Sequence, residues 1–270
     1  MEAGKGFLRV NGTDIYYLLA GDGPPLVLVM GLAGNTDWWG EGFLEILSRD
    51  FRLLAFDNRG AGRSGFPEGP YTIPILAEDT EAIMEAMGWE KAFVAGFSMG
   101  GMIAQELALN RPELVEKLVL ISTFCGGEEA VQPEPEILSL INSPKDGIPE
   151  EVVARGTAWL LFPKEFLEEH PEAMEGFVRL YLKAPISPRA YAKQVEAVAR
   201  WGSYQRLPRI QCPTLVITGD QDVIIPPENS RILAERIPGA VLQVIPGAGH
   251  GLTLQCPAET AQAIARFLSA

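Results

Sequence analysis

Along this chain, short continuous apolar runs alternate with longer stretches whose apolar positions recur at helical spacing. Leu26–Met30 is apolar throughout, the pattern of a strand covered on both faces. Phe51–Phe56, Lys91–Ala95, Leu118–Ser122, Thr214–Thr218 and Val241–Ile245 read as further strands. Near the start, Phe7–Val10 and Asp14–Leu19 flank Asn11-Gly12, a dipeptide suited to a tight hairpin. Helical periods fall between the strands: around Trp38–Ser48, over Ile75–Met87 up to Gly88, over Met99–Asn110 up to Arg111-Pro112, then Pro227–Arg236 and Ala258–Leu268.

From Cys125 to about Gln205 the alternation stops. That stretch holds Glu/Pro-rich loop sequence (Gln132–Glu136) and amphipathic pieces predicted helical near 149–162, 164–183 and 188–201. Alternating βα units imply a mostly parallel sheet with helices on both faces. The expected organisation is one core built from 1–124 and 206–270, with 125–205 inserted as a helical lid.

Composition narrows the classes. A chain of 270 residues that is 47% hydrophobic has enough apolar material for a large core. A net charge of −13 leaves no basic surplus for a phosphate backbone, so no nucleic-acid partner is expected. No run approaches the ~18 apolar residues of a membrane span, and Met1–Gly6 lacks the basic-then-apolar order of a secretory signal. Cys125, Cys212 and Cys256 are widely spaced and read as small buried hydrophobes in a reducing cytoplasm rather than a disulfide framework. With two histidines and no His/Cys cluster, neither a metal nor a cofactor is expected.

The chemistry concentrates at Gly96-Phe97-Ser98-Met99-Gly100-Gly101, which joins a predicted strand to a predicted helix. A serine in such a turn lifts its hydroxyl clear of neighbouring side chains, beside the positive end of the helix. Ser98 is therefore the candidate nucleophile, and a serine needs a base. His170 lies in an acidic edge, Glu168–Glu172, and reads as a solvated surface residue. His250 lies in a Gly-rich loop directly after the last strand, at the carboxyl edge of the sheet. The orienting carboxylate should follow another strand, where Gly219-Asp220-Gln221-Asp222 offers Asp220 or Asp222. Backbone N–H groups of Met99 and of Leu32, in Gly31–Gly34, are the expected oxyanion donors. The aromatic residues Trp159, Phe162, Phe166 and Tyr181 of the insertion are candidates for lining a substrate pocket or for the insertion's own core. Gly60-Ala-Gly62-Arg-Ser-Gly65 matches a dinucleotide fingerprint, but Phe66-Pro67 and Pro70 follow where that fingerprint requires a helix.

Four motifs in order resemble the α/β-hydrolase superfamily over nearly the whole chain: Asp57-Asn-Arg-Gly60-Ala-Gly62-Arg-Ser64, Gly96–Gly101, Gly219-Asp-Gln-Asp222-Val-Ile-Ile-Pro226 and Pro246-Gly-Ala-Gly249-His250. The resemblance implies an α/β-hydrolase fold, with a mostly parallel eight-stranded sheet and a helical cap at 125–205. It assigns the acid to Asp222 through the Gly-x-x-Asp-x-x-x-Pro pattern, completing Ser98, His250 and Asp222. Serine at the elbow separates the chain from the dehalogenase and epoxide-hydrolase branches, which use aspartate there. Its motifs look like those of serine esterases, enol-lactonases and cofactor-free perhydrolases. One departure is Met30, where the family usually has histidine before the oxyanion loop. The implied activity is carboxylesterase-type hydrolysis of a small, largely apolar ester. The alternatives are a lactonase or C–C bond hydrolase, a perhydrolase, or a non-enzymatic ligand receptor.

Overall fold

The computed structural model describes residues 4–270; Met1–Ala3, part of the segment read as non-secretory, lie outside the described residues. Eight strands form one sheet: β1 (Gly4–Val10), β2 (Thr13–Ala20), β3 (Pro25–Val29), β4 (Arg52–Phe56), β5 (Ala92–Phe97), β6 (Val115–Ile121), β7 (Thr214–Gly219) and β8 (Val241–Ile245). Their order across the sheet is β1-β2-β4-β3-β5-β6-β7-β8. The β1/β2 and β2/β4 pairs are antiparallel and every pair from β4 to β8 is parallel. At the hairpin, Asn11 and Gly12 both take positive φ, 45° and 75°, which matches the right-handed twist of the flanking strands.

The period-two alternation of strand side chains sorts the apolar residues onto two faces. Val27, Val29, Leu54, Val94, Leu118 and Val216 face the helices α2 (Ile73–Ala86), α3 (Met99–Asn110) and, later in the chain, Glu228–Arg236. Leu26, Leu28, Ala55, Ala95, Val119 and Ile217 face α1 (Glu41–Leu47) and the C-terminal helix Pro257–Ser269. Strands buried on both faces read as nearly continuous apolar runs, and β5 and β7 are buried along their entire lengths.

Five helices lie between β6 and β7: α4 (Pro135–Asn142), α5 (Glu150–Leu161), α6 (Lys164–Glu169), α7 (Pro171–Lys183) and α8 (Pro188–Ala199). Two expectations change here. α4 begins inside the stretch read as Glu/Pro-rich loop, because Pro135 sits at a first helical position, where its missing N–H is not needed. The single helix expected over 164–183 is divided at His170, because Pro171 starts a new helix rather than continuing one. The two ends of the stretch meet at a Gly126/Gly202 bridge and at the Ser203 N–H, which donates to the Cys125 carbonyl at 2.8 Å. After β7 come α9 (Glu228–Arg236), the short α10 (Leu252–Gln255) and α11 (Pro257–Ser269). Among the described residues no helix is long and apolar enough to cross a membrane.

Candidate active site

Ser98 joins β5 to α3 at φ 55°, ψ −122°. A residue with a Cβ pays about 1–3 kcal/mol to stay there, so its surroundings must hold it. They do so through the backbone: the Ser98 N–H donates to the Ile121 carbonyl at 2.8 Å. Its own carbonyl accepts from the Gly101 N–H at 2.8 Å and from the Thr123 hydroxyl at 2.7 Å. The glycines of the motif are required by contact. A Cβ on Gly100 would strike the Val29 carbonyl at the end of β3, and one on Gly101 would lie 2.5 Å from the Thr123 side chain.

His250 and Asp222 come from the loops after β8 and β7 and are both buried. His250 Nδ1 lies 2.7 Å from Asp222 Oδ2, while Asp222 Oδ1 accepts from the N–H groups of Ile224 (2.9 Å) and Ile225 (2.8 Å). A carboxylate already held by two backbone donors is an acceptor, so Nδ1 carries the proton and Nε2 is left free to accept one. Asp220 is exposed and accepts from the Gly247 N–H at 2.7 Å, which ties the β7 and β8 loops together. His170 is half-exposed at the α6/α7 junction, with Nδ1 3.3 Å from Glu172.

Ser98 and His250 line one cavity of about 300 Å³, together with Leu32, Trp38, Phe97 and Tyr181. Among the described residues the Ser98 hydroxyl has no hydrogen-bond partner. A second cavity of about 490 Å³ also reaches Ser98 and Leu32, and is lined by Met99, Met102, Phe124, Leu138 and Val198. Of the four aromatic residues expected at the pocket, only Tyr181 lines either cavity. The other three line neither cavity. Trp159 is 51% exposed on the outer side of α5. Phe162 packs its ring on Phe166 and Phe177, 5.7 and 6.1 Å between centroids, and Phe162 and Phe166 belong to the apolar cluster that continues onto the sheet face carrying Leu26, Leu28 and Ile217.

The N–H groups of Leu32 and Met99 donate to no acceptor among the described residues, although both flank Ser98. Met99 opens α3, whose dipole adds positive potential at that point. Leu32 sits in a loop held from several sides. Asn58 Nδ2 donates to the Met30 carbonyl at 2.8 Å, and the Ala33 N–H donates to Gln194 Oε1 at 2.9 Å. Asn35 Nδ2 donates to the Ala184 carbonyl at 3.0 Å. Asp57, fully buried, accepts from the N–H groups of Thr36 (2.6 Å) and Arg63 (2.8 Å). Burial pushes its carboxyl above the usual range against the pull of these donors. The Met30 side chain, where histidine was the resemblance's expectation, is buried beneath Gly34. Gly60–Gly65 is a closed loop, with the Gly60 N–H bonded to the Gly65 carbonyl at 2.8 Å, and no helix opens there.

Gln194 and Asn35 were missed by the sequence reading. Gln194 lies on α8 at helical spacing with Ala190 and Ala197, all three buried, so a polar residue on a buried stripe was the available signal. Nothing in the chain indicated that its partner lay at Ala33.

The sequence profile of the α/β hydrolase fold family matches residues 24–255. The chain belongs to the α/β-hydrolase family. It is 31% identical over 258 residues to a candidate carbamate hydrolase named RutD from Caulobacter sp. (strain K31), covering 93% of this chain and 92% of that one. It is 33% identical over 244 residues to a poly(3-hydroxyalkanoate) depolymerase from Ectopseudomonas oleovorans, covering 90% and 84%. Among solved structures, the enol-lactonase from Burkholderia xenovorans LB400 superposes with a TM-score of 0.87 at 26% identity, covering 98% of this chain and 100% of that one. The family and these relatives make this α/β hydrolase a hydrolytic enzyme.

Proposed function

We propose that the protein cleaves carboxylic esters through an acyl-enzyme on Ser98, with His250 as base, Asp222 as its orienting acid and 125–205 as a cap over the site. The observation that carries this reading is the buried Asp222–His250 pair opening on the same cavity as the strained Ser98. His250 Nε2 takes the hydroxyl proton as Ser98 Oγ attacks the carbonyl carbon, and the carbonyl oxygen becomes an oxyanion facing the Leu32 and Met99 N–H groups. The tetrahedral species collapses, the C–O bond to the alcohol breaks, and His250 hands its proton to the departing oxygen. Water then enters and repeats the sequence on the acyl-enzyme, releasing the acid and restoring Ser98. Two of the relatives support an ester over other acyl bonds, since a polyhydroxyalkanoate and an enol-lactone are both carboxylic esters.

The test uses a fluorophosphonate probe and p-nitrophenyl butyrate. The expected result is labelling of Ser98 and turnover that falls by about 10⁴-fold or more in Ser98→Ala. His250→Ala should be similarly impaired, and His170→Ala nearly unaffected. Esterase activity unchanged in Ser98→Ala overturns the mechanism. Slow labelling without turnover of any ester, lactone or carbamate favours the receptor reading instead.

A further inference from the structure

The two cavities meet at Ser98, Leu32, Ile141 and Ile224 but differ in which catalytic groups they touch. His250 lines the smaller cavity and not the larger, whereas the oxyanion donor Met99 lines the larger and not the smaller. A leaving oxygen must depart beside the group that protonates it, so the smaller cavity suits the alcohol half of an ester. The acyl half then falls to the larger one.

These two lobes also differ in charge. Apart from His250, the ionisable cation among the residues lining the smaller lobe is Lys145, and the carboxylate on the wall of the larger lobe is Glu128. Lys145 Nζ donates to the Leu140 carbonyl and to the Ser143 hydroxyl, each at 2.9 Å, and lies 5.2 Å from the centroid of the Tyr191 ring. Leu140, Ser143 and Tyr191 line the same lobe. An ammonium has three donors, so two bonds leave one unused. Among the described residues no carboxylate lies within 4.0 Å of it, in a chain where 35 acidic residues face 22 basic ones. The remaining wall is mostly apolar (Ile141, Val152, Val153, Leu161), a setting in which a charge-assisted bond is strengthened. Desolvation pulls the Lys145 ammonium below the usual lysine range, so an anionic guest restores what burial removes.

We propose that Lys145 is a specificity-determining residue that receives a carboxylate on the alcohol half of the substrate, while the larger lobe takes an uncharged, apolar acyl half. The substrate class is thus an ester of a hydroxy acid, with the free carboxylate on the leaving side. This rests on the ester-hydrolase reading above.

The experiment compares 4-(butanoyloxy)benzoate with 4-(butanoyloxy)benzamide, two esters that differ in the charge of the leaving half. Their ratio of kcat/KM is measured in the unaltered protein, Lys145→Met and Lys145→Arg. The expected result is a ratio that falls about tenfold or more in Lys145→Met, through KM, and recovers in Lys145→Arg, with the amide turned over nearly as before. An unchanged ratio overturns the proposal. So does an equal loss on both esters, which would give Lys145 a structural role through Leu140 and Ser143. A p-nitrophenyl hydrogen succinate arm places the charge on the acyl half; dependence on Lys145 there would reverse the lobes and overturn the assignment. Calorimetric binding of the two butanoyl esters to Ser98→Ala, with and without Lys145→Met, reads the charge preference without chemistry. A protein that hydrolyses neither ester yet binds the anion about tenfold tighter through Lys145 would refute the hydrolase reading and keep the carboxylate site. Equal binding of both esters overturns the carboxylate site itself.

Discussion

The N–H groups of Met99 and Leu32, the two proposed oxyanion donors, are held in place by different means. At Met99 the donor is fixed by backbone packed on backbone: Gly100 lies against the Val29 carbonyl, and Ser98 is bonded to Ile121, Gly101 and Thr123. At Leu32 the donor sits in a loop whose next N–H, that of Ala33, is held by a side chain 161 residues away on α8. One half belongs to the sheet and its elbow. The other half depends on the insertion being seated. The position of α8 and that of the loop carrying Leu32 are therefore coupled through Gln194.

Disturbing the elbow half should produce the largest loss. Gly100→Ala places a methyl on the Val29 carbonyl, and the backbone must move to relieve it. Overpacking of this kind costs about 1–3 kcal/mol, and a displacement near 1 Å at reacting groups costs about 10²-fold in rate. The expected outcome is a fall of about 10²-fold or more in kcat/KM with a lowered melting temperature. Near-normal turnover would mean that the elbow is not held by this contact.

The contrast between the halves also explains what was legible beforehand. The elbow is local: a strand, five residues and a helix carry its geometry, so Ser98 and Met99 could be singled out as candidates from the chain alone. That His250 and an aspartate after β7 would lie together was legible because each follows a strand, and parallel strands bring their carboxyl ends to one edge, whereas the choice of Asp222 over Asp220 rested on the family resemblance. The insertion offered no such rule. Its apolar spacing predicts helices but not which face meets the cavity, so Trp159, Phe162 and Phe166 could be assigned neither to pocket nor to core, and Leu140, Ile141 and Lys145 went unnoticed. Gln194 was illegible as an anchor because an isolated polar residue on a buried stripe does not declare its partner.

Breaking the borrowed half should have a smaller and more selective effect. Gln194→Leu keeps the volume but leaves the buried Ala33 N–H without its acceptor. Removing an oxyanion donor outright costs about 10²–10³-fold, and shifting one through its neighbour should cost less, about 10–100-fold in kcat. KM should change little, because the donor acts on the charge that develops in the transition state. The melting temperature will drop in any case, since an unsatisfied buried N–H costs about 1–3 kcal/mol. Steady-state kinetics therefore decide the matter. A rise in KM at constant kcat would make Gln194 a wall of the site rather than a support for the hole.

The smallest effect on activity is expected at the insertion's other anchor. Glu106 on α3 accepts from Trp201 Nε1 at 2.7 Å, from Asn110 Nδ2 at 2.8 Å and from both Arg206 terminal nitrogens at 3.0 and 2.8 Å. Burial alone would push its carboxyl up, but the bonds from Arg206, Trp201 and Asn110 outweigh burial and hold it below the usual range. A carboxyl depressed in the folded state adds stability that is present above its unfolded pKa, near 4.5, and is lost as pH falls through the lower folded value. Glu106→Gln should therefore be less stable at neutral pH, by about 1–3 kcal/mol, a loss of roughly 2–4 °C in melting temperature for each kcal/mol. The gap should narrow on acidification below pH 4.5, where the native glutamate gives up its advantage and the glutamine does not titrate. Melting curves from pH 3 to 7 test this, and a constant gap would refute the linkage. If kcat at neutral pH stays within about twofold while stability falls, the exit of the insertion is a fastening, and the coupling to the oxyanion hole runs through α8 and Gln194 alone. A kcat loss matching that of Gln194→Leu would make the whole insertion, rather than one glutamine, the element that sets the second donor.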